Sequence, residues 1–95
     1  MKKAAIKFTP EAARLFSVFP PENKKMIKAG LKILTQAPDS GGDLQEELSG
    51  FKSFKLKRYW VIYRYSAEEN VVKVYYVGHR KDIYEQFQTL LKKLS

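Results

Sequence analysis

The sequence predicts an α+β fold. An N-terminal strand and a helical hairpin pack on a mainly antiparallel, curved sheet, and a C-terminal helix closes the chain. Apolar residues recur at helical spacing through the first third and again at the end. Between them, three β-rich runs follow one another between residues 51 and 77 with short connections, which makes neighbouring strands antiparallel. Proline and glycine mark the breaks.

Ala4 to Phe8 reads as a short strand ending at Thr9-Pro10. Thr9 suits a helix N-cap, Pro10 the first helical position, and Glu11 the positive helix end. Ala12, Leu15, Phe16 and Phe19 form an apolar stripe, which Pro20-Pro21 ends. A second helix begins near Pro21-Glu22, with Met26, Ile27, Leu31 and Leu34 as its stripe and Ile33 widening it. Gln36 to Gly42 reads as a loop. Phe51 to Lys57, Tyr59 to Ser66 and Val71 to Val77 are the β runs, with Glu68-Glu69-Asn70 as a turn. A helix from about Asp82 to Leu94 carries Ile83, Phe87, Leu90, Leu91 and Leu94. The expected order is β-α-α-β-β-β-α, with helices against one side of the sheet.

Ninety-five residues make a single domain, 1–95, able to bury roughly 60–70% of its unfolded surface. With no cysteine, disulfides and thiolate metal sites are excluded. No apolar run reaches the ~20 residues of a membrane span. The basic start, Met1 to Lys7, lacks an apolar stretch after it, so no signal peptide is expected. A net charge of +8 favours a polyanionic partner, although lysine-rich faces also serve solubility alone.

The chemistry concentrates between Ser49 and Ala67. This stretch holds Lys52, Lys55, Lys57, Arg58 and Arg64 with no acid, interleaved with Phe51, Phe54, Tyr59, Trp60, Tyr63 and Tyr65. Such a pattern suits a face that grips phosphates and stacks on bases. Strand alternation sends Phe54 and Leu56 to the core and Lys55 and Lys57 together to the other face. In the next strand Val61, Tyr63 and Tyr65 face the core, and Trp60, Ile62 and Arg64 lie opposite. Two adjacent lysines lower one another's pKa, or, both charged, stabilise a phosphorane oxyanion. They also read as two solvated sheet lysines, and the residues alone leave both readings open. His79 suits acid–base work or a polar surface role. Neither a carboxylate dyad nor a Gly-rich phosphate loop is present.

Taken together, Leu48-Ser49-Gly50-Phe51, Phe54-Lys55-Leu56-Lys57, Tyr59-Trp60-Val61-Ile62-Tyr63-Arg64 and Val77-Gly78-His79-Arg80-Lys81-Asp82-Ile83-Tyr84 resemble the RelE/ParE superfamily, toxins of type II toxin–antitoxin modules. The resemblance spans nearly the whole chain. It implies a RelE-like fold and a ribosome-dependent, metal-independent mRNA endonuclease that cuts in the A site using the RNA's own 2′-hydroxyl.

By that resemblance Lys55 and Lys57 match the strand lysines that activate the 2′-hydroxyl and stabilise charge. Arg80 matches the transition-state arginine, and Tyr84 the tyrosine that orients a base. Arg58, Trp60, Arg64, His79 and Lys81 are the implied RNA-binding residues. Trp60 departs from the pattern, because RelE-type members usually carry a phosphate-binding arginine there. The resemblance further implies a cognate antitoxin, ribosome and mRNA as partners, a toxin–antitoxin hetero-oligomer, no cofactor, and a cytoplasmic location. Two alternatives accompany it: a ParE-like inhibitor of DNA gyrase, and a relative that only binds RNA or antitoxin.

Overall fold

The Thr9-Pro10 signal starts the first helix where expected. The computed structural model describes residues 3–79 and 83–94. Strand β1 (Ala5–Phe8) leads into α1 (Pro10–Ser17), and the Thr9 hydroxyl accepts the Ala12 N–H at 3.1 Å. Pro20, extended at φ −57° and ψ 152°, separates α1 from α2 (Pro21–Gln36). Buried Ile27, Gly30, Leu31 and Leu34 form the inner stripe of α2. Ile33, expected to widen that stripe, points outward and is 55% exposed.

Beyond α2 come β2 (Gly42–Asp43), a 3-10 turn at Glu46–Leu48, β3 (Lys52–Leu56), β4 (Tyr59–Ser66), β5 (Val71–His79) and α3 (Ile83–Leu94). The two-residue β2 begins at Gly42, the last residue of the expected loop. Among the described residues the strands lie in the order β1-β5-β4-β3-β2, with β1 parallel to β5 and the other pairs antiparallel.

The sheet is covered on both faces, not on one. Ala12 of α1 and Ile27, Leu31 and Leu34 of α2 bury one face with Val61, Tyr63, Val72, Val74 and Val77. Gly30 lets α2 approach closely, since a Cβ there would stand 2.4 Å from Leu56 Cδ2. Ile83 and Phe87 of α3 bury the opposite face with Leu48, Phe51 and Ile62. Ile62 therefore belongs to a second core, which explains an apolar residue on the face expected to be open.

A bulge decides which β5 side chains serve each core. The β4–β5 register shifts between Ile62 and Tyr63, so Ile62 pairs with Tyr76 and Tyr63 with Val74. One extra residue in β5 changes its alternation. Val72, Val74 and Val77 then share the first core, while the consecutive Tyr75 and Tyr76 both pack on the second.

Candidate functional site

Lys55 of β3 stands directly across from Trp60 of β4. Their parity is opposite to that of Phe54, Leu56 and Val61, so both project on the α3 side of the sheet. The Lys55 Nζ lies 4.6 Å from the centroid of the Trp60 ring. A cation over an indole face is attracted by about 0.5–1 kcal/mol at an exposed site. Trp60 also meets the ring of Tyr84, in the first turn of α3, at 5.4 Å. The Tyr84 hydroxyl donates to buried Ser53 Oγ at 3.3 Å. Tyr84 remains 36% exposed, so its ring is available to a partner. Gly78, opposite Trp60 on β5, adds no side chain to this corner.

Three elements thus bring an amine, an indole and a phenol to one accessible corner. The amine supplies positive charge for a phosphate, and the phenol supplies a hydrogen-bonding group and a stacking ring. Ser53 is the member that sequence reasoning missed. It shares parity with Lys55, and that spacing was the signal available.

The expected lysine pair is different in geometry. β3 ends at Leu56, which pairs with Tyr59, leaving Lys57 and Arg58 as a two-residue hairpin loop. Lys57 adopts φ 51°, in the left-handed region such turns require. Strand alternation stops before it, so parity does not align Lys57 with Lys55. Lys57 and Arg58 are both exposed on the loop adjoining the corner.

Arg64 does not join the corner either. It is four residues along β4 from Trp60, roughly 13 Å at strand rise. Its guanidinium lies over the Phe51 ring at 4.2 Å and 5.9 Å from the Tyr75 ring. His79 faces the helical-hairpin side, where its ring meets Tyr59 at 6.1 Å. Tyr59 in turn contacts Phe19 and accepts a hydrogen bond from Asn23 at 2.9 Å. Lys52 is held by Asp43 at 2.7 Å, and that hydrogen bond raises its pKa. Arg80 and Lys81 lie outside the described residues. Among the described residues no three His, Cys, Asp or Glu side chains gather as a metal site, and no helix is long and apolar enough to cross a membrane.

This fold has known counterparts. Residues 6–84 match the family described as ParE toxin of the type II toxin–antitoxin system parDE, and the chain belongs to that family. It is a toxin of a type II toxin–antitoxin module with a RelE-like fold.

Among solved structures, the chain is similar to one in the toxin–antitoxin complex RelBE2 from Mycobacterium tuberculosis, with 27% identity, a TM-score of 0.77, and coverage of 86% of this chain and 97% of that one. The isolated E. coli RelE toxin shares the fold at 19% identity and a TM-score of 0.70, covering 97% of this chain and 99% of that one. A chain of the YoeB–YefM complex from Staphylococcus aureus does so at 21% identity and 0.62, covering 82% and 98%. No curated protein matches the chain significantly.

Proposed function

We propose that this toxin is a metal-independent endoribonuclease that cleaves mRNA in the ribosomal A site and so inhibits translation. The observation that carries this reading is the Lys55–Trp60–Tyr84 corner, an amine and a phenol held around one ring and open to solvent.

In the proposed reaction the RNA 2′-hydroxyl attacks the adjacent phosphorus. The 5′-oxygen leaves, and the product carries a 2′,3′-cyclic phosphate. Lys55 or Tyr84 assists removal of the 2′-proton. Lys57 and Arg58, exposed on the hairpin loop, hold phosphate charge. Arg80 keeps the transition-state role the resemblance gives it. The Trp60 indole contributes no charge, and its place in the reaction is to position Lys55 and Tyr84.

The test uses programmed ribosomes carrying mRNA with a single 2′-deoxynucleotide at the cut position. Cleavage of the all-ribose message to a 2′,3′-cyclic end, blocked by the deoxy substitution, is expected. Equal cutting of both messages would overturn the mechanism.

The regulating partner in this reading is a cognate antitoxin, acidic to match the net charge of +8. Solved relatives such as RelBE2 are toxin–antitoxin complexes. A second reading, a ParE-like gyrase inhibitor, is favoured by the family match itself and by Trp60 standing where RelE-type members carry arginine. Inhibition of DNA supercoiling by purified gyrase, without mRNA cleavage, would select it.

A further inference from the structure

A second basic site lies on the α3 side of the sheet, at the far end from Lys55. Lys7 of β1 pairs with Lys73 of β5, and Lys73 pairs with Arg64 of β4. Three cations therefore stand in one row across three neighbouring strands. Their strand neighbours Ile6, Phe8, Val72, Val74, Tyr63 and Tyr65 all pack on the first core, so the three cations share the opposite face. All three are exposed.

Like charges directly opposite on adjacent strands destabilise a sheet. Among the described residues none of the three forms an ion pair. They line one groove of about 360 Å³ together with Ser66, Glu69 and Tyr75. Glu69 is the carboxylate at that groove, which leaves an excess of positive charge. Two of the three cations rest on rings: Arg64 lies over Phe51 at 4.2 Å, and Lys73 Nζ is 5.5 Å from the Tyr75 ring. A planar guanidinium so placed keeps its edge donors for a phosphate.

We propose that Lys7, Lys73 and Arg64 form a second anion site that grips the phosphodiester backbone of single-stranded RNA. Adjacent strands lie about 4.8 Å apart, so the row is roughly 10 Å wide. That width suits one chain of phosphates rather than the two backbones of a duplex. The site is separate from the Lys55–Trp60–Tyr84 corner, with Phe51, Ile62 and Phe87 of the second core between them. It is read by binding alone, so it stands or falls independently of RNA cleavage.

The test is binding of a short labelled oligouridine across a salt series. The double variant Lys7→Gln/Lys73→Gln is expected to bind about tenfold more weakly at low salt. Its slope of log K against log salt should be shallower by about 1.4, or about 0.7 for each lost phosphate contact. Lys7→Arg/Lys73→Arg should restore both values, and Lys25→Gln/Lys28→Gln on α2 should change neither slope nor folding. The unfolding midpoint of the neutralised variant should equal or exceed that of the parent, because repulsion is relieved. An unchanged slope overturns the proposal. So does selective loss of binding to duplex DNA or to polyglutamate while oligouridine binding persists.

Discussion

The Lys55 ammonium sits 4.6 Å above the Trp60 ring, and the same ring rests against Tyr84 on α3. An apolar side chain thereby fixes two polar ones. A double-mutant cycle with Lys55→Gln and Trp60→Leu should give a coupling of about 0.5–1 kcal/mol in urea unfolding. A coupling of zero would show that the contact does not persist in solution.

Tyr84→Phe removes a hydroxyl whose partner is Ser53 Oγ at 3.3 Å, while the ring contact with Trp60 is retained. Stability should fall by about 1 kcal/mol, because the buried Ser53 hydroxyl loses this partner. On the proposed mechanism mRNA cleavage should fall by about 10²-fold, the scale of a lost acid–base group. Equal losses of stability and activity would indicate a structural role alone.

Tyr63 is fully buried, and its hydroxyl donates to the Pro38 carbonyl at 2.7 Å while accepting the Gly41 N–H at 3.1 Å. Tyr63→Phe leaves both loop groups without that partner and should destabilise the fold by about 1–3 kcal/mol. Gly41→Ala should disturb the same junction, because its Cβ would meet Tyr63 Oη at 2.6 Å and the Ser53 carbonyl at 2.8 Å. Urea midpoints check both.

Burial pushes the Tyr63 and Tyr76 phenols above the usual tyrosine pKa of 10.0. A raised folded-state pKa means the folded protein holds its phenolic protons longer than the unfolded chain does. The associated stability is fully present below about pH 10 and is lost as pH rises through the folded values. Urea midpoints should therefore fall above pH 10, and tyrosinate absorbance should lag that of the unfolded chain. The alkaline loss should be smaller in Tyr63→Phe.

The chain announced its boundaries better than its faces. Thr9-Pro10 and Pro20-Pro21 act locally, through a capping oxygen and fixed φ angles, so α1 and α2 start as read. The site depended on alternation, which holds only while the register is regular. The left-handed Lys57 ended β3 one residue early, and the bulge at Tyr75 reset the parity of β5. Neither leaves a proline or glycine mark at the residue concerned. Parity groups Arg64 with Lys55 because it gives a face but no position along it. Ile62 was the visible warning that α3 covers the middle of that face.

Mapping mRNA 3′ ends on programmed ribosomes tests the central claim most directly. The account predicts cuts within the A-site codon by the parent toxin, reduced about 10²-fold in Tyr84→Phe. Intact mRNA at toxin levels that block gyrase supercoiling would contradict it.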